Sequence, residues 1–249
     1  MINIIVESGY NTSYITSVLI SLFYNNTYLE DLLLNRCTND NKFLYLQEYI
    51  KNEIISKIKE NKTIFSDSIN KIRIISHLLG WKSINNLFDE YNVKDFFYFL
   101  MHSFDGLSYN KTNEIAYLTI DAVDNSTVKT ELDLYINNVF NNEINLTKIF
   151  PLLTININRT KHNGKIDIEK KIKMQYIICD NKLEIKWFFH SAICYNDKFY
   201  YSIIFINKKW FVFSDNYSPS FISIDMGNTK IINKIKSEIV LVFYKTDFY

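Results

Sequence analysis

Glycine, proline and cysteine are scarce in this chain. Five glycines and two prolines in 249 residues leave no room for a flexible or proline-rich linker. Three cysteines, Cys37, Cys179 and Cys194, are an odd number without a Cys-x-x-Cys pair, which excludes a secreted disulfide framework and a cysteine zinc site. A reducing, intracellular setting is expected. The first residues, MINIIVES, carry no basic stretch before an apolar run, and no apolar run approaches membrane-spanning length. Charge of one sign is lacking too. With 28 basic against 27 acidic residues the net charge is +1, which calls for neither nucleic acid nor an anionic membrane. His77, His102 and His162 have no ligand-spaced partners, so neither metal nor cofactor is expected. No Gly-x-Ser-x-Gly elbow is present.

Apolar side chains are abundant. They make up 47% of residues, and aromatics 16%, enough to bury a sizeable core. Asn, Ile, Lys and Tyr are over-used, the bias of an AT-rich genome such as a large DNA virus, a protist or an AT-rich bacterium. Asn-x-Ser/Thr triplets such as those at Asn25 and Asn61 follow from that bias.

Periodicity divides the chain. Ile15, Val18, Leu19, Leu22 and Phe23 form one apolar stripe, predicting a helix from Thr12 to Tyr24 with Asn11 as its N-cap. Further helices are predicted near residues 41–60, 67–79 and 93–103, the 67–79 helix capped by Ser66 or Asp67 and closed by Gly80. Phe96, Phe97, Phe99 and Leu100 are expected in the core. Strands are predicted at 114–123, 152–158, 173–179, 182–189, 199–206, 210–213 and 238–244. The alternation of Leu153, Ile155 and Ile157 suggests a half-buried strand. Helices followed by strands argue an α+β fold with a largely antiparallel sheet. One domain over 1–249 is expected, with a helical lobe at 1–106 and a mainly β lobe at 107–249.

Five blocks in order carry a family resemblance. Asn11-Thr12-Ser13-Tyr14-Ile15-Thr16-Ser17-Val18-Leu19-Ile20-Ser21-Leu22-Phe23 resembles the Cys box of ubiquitin-specific proteases, Asn-Thr-Cys-Tyr-x-Asn-Ser-x-Leu-x-x-Leu-Phe. Asn92 to Leu100 is similar to that family's Asp-Ala-x-Glu-Phe-Leu helix, and Pro151 to Arg159 to its Leu-Pro to Leu-Lys-Arg-Phe strand. Tyr200-Tyr201-Ser202, followed by Trp210 to Asp215, resembles Gly-His-Tyr and Trp-x-x-Phe-Asp-Asp. Val240 to Lys245 resembles the closing strand. The resemblance implies a papain-like cysteine protease fold of the ubiquitin-specific protease type. It would have a helical thumb and an antiparallel-sheet palm. The family's Cys-x-x-Cys pairs are missing, so its fingers are expected to be reduced or absent.

The departures fall on the chemistry. Ser13 stands at the nucleophile position and Tyr200 at the general base, or Phe199 if the gap is placed differently. Ser214, with Asp215 beside it, stands at the orienting Asp, and Ser8 at the oxyanion Asn. A helix N-terminus and a histidine draw a thiol down to a thiolate, whereas a serine hydroxyl needs a positioned base and a tyrosine stays neutral at pH 7. The expected cleft is lined by Ser8, Asn11, Ser13, Tyr200, Ser214 and Asp215. Three functions stay open: an inactive module that binds ubiquitin, a ubiquitin-like protein or another protein; a hydrolase with a rearranged site; and a structural or assembly subunit that binds no ubiquitin. Each of the special residues also has a plain role, Ser13 in a helix first turn, Tyr200 and Tyr201 in strand packing, and Asp215 with Asn216 in a turn. His190 and Cys194, four residues apart, would share a strand face about 13 Å apart, too far for a hydrogen bond. Lys170, Lys171 and Lys173 read as a solvated face.

Overall fold

The computed structural model describes residues 4–25, 30, 34, 41–103, 118–120, 152–157, 159, 164–178 and 181–246. Two compact units interleave along the chain. The first joins Met1–Ser108 to Tyr195–Ile224, and the second joins Tyr109–Cys194 to Asp225–Tyr249. Residues 1–106 therefore cluster with three strands from the second half of the sequence.

In the first unit, α1 spans Ser13–Phe23 and all eleven residues are buried. A single apolar stripe would leave one face in water, but here the hydroxyl-bearing face is covered as well. The N-cap is Thr12, not Asn11, which lies outside the helix at φ 52°. The Thr12 side chain does not cap the helix; its Oγ1 accepts the Gly9 N–H at 3.1 Å. A Cβ on Gly9 would sit 2.9 Å from that same side chain, so this turn requires glycine.

The next helical rod starts as α2, Asn41–Ile50, passes through a π-helical segment Lys51–Ile55 and ends in an α-turn Ser56–Lys59. Its Ile50, Ile54, Ile55 and Ile58 are all buried. Helix α3 covers Ser66–Leu78. Its N-cap is Phe65, with no side-chain cap bond, so neither Ser66 nor Asp67 has that role. Gly80, at φ +89°, closes it as expected: its N–H reaches the His77 carbonyl and the Trp81 N–H the Ser76 carbonyl, a Schellman motif. Helix α4, Val93–Ser103, buries Phe96, Phe97 and Leu100, with Phe99 half-buried. Three strands complete the unit. Numbered along the whole chain, they are β5 (Tyr200–Ile206), β6 (Lys209–Phe213) and β7 (Phe221–Ile224), paired antiparallel in that order. The β5–β6 turn places Asn207 and Lys208 at positive φ, the conformation of a tight two-residue hairpin.

The second unit holds β1 (Leu118–Ile120), β2 (Leu152–Ile157), β3 (Lys171–Ile178), β4 (Asn181–Tyr195) and β8 (Ile239–Thr246). β1 runs parallel to β2; β2 pairs antiparallel with β8, β8 with β4, and β4 with β3. The rest of the strand expected at 114–123 lies outside the described residues. All six residues of β2 are buried, so the expected half-exposed alternation is corrected: both faces are covered. β4 continues past 189 to Tyr195, with irregularities between Phe189 and Ser191 and between Ile193 and Cys194. They interrupt the parity that would set His190 and Cys194 on one face. Both residues are buried. Lys170, Lys171 and Lys173 are exposed.

Helix α5, Thr229–Glu238, was not expected from the sequence. Asn228 caps it, its Oδ1 accepting the N–H groups of Lys230 and Ile231. Arg159 closes the other end. Its Nε and Nη2 donate to the carbonyls of Ile239 and Lys236 at 2.7 Å each, and its Nη1 donates to Gly164. A guanidinium suits the carbonyl-rich end of a helix, and its planar fork serves several acceptors at once. Among the described residues no helix is long and apolar enough to cross a membrane, and no group of three or more His, Cys, Asp or Glu could hold a metal ion.

Arg159→Met keeps most of the side-chain bulk and removes all three bonds. It should lower unfolding stability by about 3 kcal/mol, and Arg159→Lys should recover less than half of that. Urea denaturation followed by circular dichroism checks both values.

Candidate functional site

The six positions expected to line a cleft, Ser8, Asn11, Ser13, Tyr200, Ser214 and Asp215, all belong to the first unit. Helix α1 carries a row of hydroxyls, Ser13, Thr16, Ser17 and Ser21, at helical spacing along one face. That face meets β5 and the turn after β6. Ser21 Oγ donates to Ser202 Oγ at 2.9 Å, and Ser202 Oγ donates to the Ser17 carbonyl at 3.2 Å. Ser13 Oγ accepts the backbone N–H of Tyr200 at 3.0 Å. Thr16 Oγ1 donates to Asp215 Oδ2 at 2.9 Å and lies 3.2 Å from the Ser13 carbonyl. These contacts satisfy polar groups that would otherwise be costly to bury.

Ser13 and residue 200 are thus brought together, but through the wrong atoms for proton transfer. The partner of the Ser13 oxygen is a backbone donor, which cannot accept a proton. The Tyr200 phenol is hydrogen-bonded to the backbone of Val93, at the start of α4, and burial pushes its pKa up to about 12. It stays protonated at pH 7, with its oxygen accepting the Val93 N–H, and is not a base. Its ring packs on Tyr195 with centroids 4.7 Å apart. Phe199, the alternative base position, packs edge-on against Tyr217.

Ser214 and Asp215 turn into their own loop. Ser214 Oγ accepts the Asn216 N–H at 3.2 Å, and the Ser214 backbone pairs with Ser220 and Tyr217. Asp215 interacts with Thr16, Asn216 and its own backbone. Ser8 lies at the exposed end of this chain of bonds, its Oγ donating to Asn216 Oδ1 at 3.0 Å. Asn11 is drawn elsewhere, its Nδ2 donating to the Phe88 carbonyl at 3.1 Å. Ser13, Tyr200, Ser214 and Asp215 are 6%, 7%, 0% and 5% exposed, so side chains close over the positions expected to line a cleft. Ser8 remains exposed and Asn11 partly so.

Thr16 and Ser202 were not singled out in the sequence, and Asn216 was named only beside Asp215, although all three join the others together. Thr16 left a signal: it is three residues beyond Ser13, on the hydroxyl face of an otherwise apolar helix. Ser202 left none, because its hydroxyl partner Ser21 lies 181 residues away.

No protein-family model matches the chain, and no curated protein matches it in sequence. Solved structures do. The SAGA DUB module of Ubp8, Sgf11, Sus1 and Sgf73 bound to monoubiquitin superposes at a TM-score of 0.60 and 13% identity, covering 97% of this chain and 68% of that one. A yeast SAGA DUB module with an altered Sgf73 gives 0.59 and 13%, with the same coverage of each chain. A further version of the module, with a shortened Sgf11, gives 0.59 and 15%, covering 96% of this chain and 68% of that one. At such identities the likeness is one of fold, and the fold is that of a ubiquitin-specific-protease-like protein.

Burial pushes the Asp215 carboxyl from 3.8 up to about 6, outweighing the Thr16 hydroxyl and the N–H groups of the turn. The folded protein thus holds this proton more tightly than the unfolded chain does. Ionisation is penalised in the folded state, so stability should fall as pH rises from about 4 to about 6 and stay lower above that. Asp215→Asn should flatten this slope and raise stability at pH 7 by about 2 kcal/mol. Urea midpoints between pH 4 and 8 test it; a wild-type midpoint that rises over this window would contradict it.

Proposed function

We propose that this chain is a catalytically inactive protein-interaction module on a single ubiquitin-specific-protease-like domain, acting inside the cell. One observation carries the reading: the Ser13 hydroxyl, at the nucleophile position, is buried and accepts a backbone N–H where catalysis needs it to face a base. Tyr200 cannot supply that base, and neither Ser214 nor Asp215 is directed at it. Loss of a triad member alone lowers turnover by roughly ten-thousandfold or more in well-studied serine proteases. Here both the nucleophile and the base position differ from the family pattern, and the orienting position holds Ser214 with Asp215 beside it.

The occupant of such a module is a protein, ubiquitin, a ubiquitin-like protein or another partner. The similar solved structures favour that class, since they hold companion proteins and, in one, monoubiquitin. Exposed Ser8 and Asn216, with Tyr10 and Phe88 at 72% and 58% exposure, offer a polar and aromatic surface around the closed positions. Cys194, buried and in no disulfide among the described residues, suits a reducing compartment.

Ubiquitin bearing a C-terminal propargyl group reports a reactive cysteine and should leave the protein unlabelled. A fluorogenic ubiquitin conjugate should be turned over no faster with the wild-type chain than with Ser13→Ala. Labelling at any residue, or turnover lost in Ser13→Ala, would establish a working hydrolase instead. Titration with ubiquitin separates the partner classes: saturable binding supports a ubiquitin-reading module, and a flat titration points to a different protein partner.

A further inference from the structure

We propose that a second site, at the opposite end of α1 from Ser13, binds a small organic anion with a flat apolar body. Ser13 opens α1 and Phe23 closes it, so the two ends are about 15 Å apart. At the far end the structure holds a cavity of about 800 Å³, within the range of small-molecule sites. It lies wholly in the first unit.

The floor is one face of the β6–β7 hairpin. Lys209 and Phe211 are two residues apart on β6, and Ser223 is the register partner of Phe211 on β7. Phe221, two residues before Ser223, shares that face. One wall is the end of α1, where Tyr24 packs on Phe221 with ring centroids 4.9 Å apart. The facing wall is the last turn of the rod that begins with α2, through Ile55, Ile58 and Lys59. Aromatic rings on the floor and one wall suit a flat apolar body, which gains by stacking and by leaving water.

The charges select the sign. Glu30, 7% exposed, is neutralised by Lys59, whose Nζ lies 2.7 Å from each carboxylate oxygen. Lys209 is exposed and makes no ion pair with an acidic side chain among the described residues. Among the described lining residues there are two cations and one anion, and the cation without an acidic partner among them stands beside the aromatic floor. A carboxylate or sulfonate on the ligand would meet Lys209 while its body covers Phe211 and Phe221. The proposal stands apart from the pseudoenzyme reading, because none of these residues belongs to the Ser13 site.

The test titrates the full chain with the dye anilinonaphthalene sulfonate and with its uncharged analogue N-phenylnaphthylamine. Saturable binding of one dye per chain is expected. Amide shifts should be centred on residues 23–25, 206–211 and 221–223 of the unaltered protein. Lys209→Glu should weaken the sulfonate about fivefold and leave the uncharged analogue unchanged. Ser223→Trp, at an exposed strand position, should fill the space and abolish both, whereas Ser8→Ala should alter neither. Circular dichroism confirms that each variant is folded. Non-saturable binding, amide shifts centred elsewhere, or unchanged affinity in Ser223→Trp would overturn the site. Equal loss of both dyes in Lys209→Glu would overturn its preference for anions. The shift map needs no variant, so it decides the location even where a substitution disturbs folding.

Discussion

A fully buried helix that carries a row of four hydroxyls persists when its neighbours accept and donate in the right places. That constraint governs the first unit. β5 and the turn after β6 supply partners for Ser13, Thr16 and Ser21, Thr12 Oγ1 takes the Gly9 N–H, and Ser17 Oγ stays unpaired while its carbonyl accepts the Ser202 hydroxyl. Each bond is modest in net energy, about 1 kcal/mol, but leaving the same group dry and unpaired costs more. The hydroxyl row therefore fixes the seating of α1 on β5. The apolar side chains on its other faces pack against neighbours such as α4, where Tyr14 meets Phe96 edge to face.

The same constraint accounts for the chemistry of the candidate site. In a cysteine protease of this fold, the first turn of the helix would present a thiolate to a histidine. Here the Ser13 oxygen is a structural acceptor, tied to the backbone of Tyr200 on β5. Asp215 has likewise become part of a joint. Its bond to Thr16 and its link through Asn216 to Ser8 tie three segments of chain together, and its burial favours the protonated form. Reactivity and cohesion place opposed demands on a hydroxyl. One needs a free donor facing a base, the other a satisfied bond in a dry contact.

The second unit is held by different means. Arg159 gathers three carbonyls at one end of α5, and Asn228 satisfies two N–H groups at the other. Tyr244, on β8, sends its hydroxyl to the Glu169 carbonyl at 3.1 Å. These are end-capping and loop-closing bonds from single side chains, which explains why a helix of low apolar content such as α5, with only Ile235 buried, is stable there.

Much of the secondary structure was legible in the sequence. The apolar stripe of α1, the stop at Gly80, the aromatic run of α4 and the strands around 200–213 follow from local spacing and turn chemistry. Helix α5 was legible but overlooked: Ile231, Ile232 and Ile235 keep helical spacing after the capping Asn228, and the lysines between them mark the solvated face. The full burial of β2 was hidden, because alternation marks one covered face and cannot tell whether the other is covered too. The residue types at positions 13, 200 and 214, and with them the absence of a thiol and an imidazole, are properties of the sequence alone. Tertiary structure decided that the Ser13 oxygen would meet the N–H of a residue 187 positions away and that Thr16 would meet Asp215. Periodicity says which side of a helix is polar. Only packing chooses which distant atom fills each hydrogen bond, because that choice depends on how α1 seats on β5.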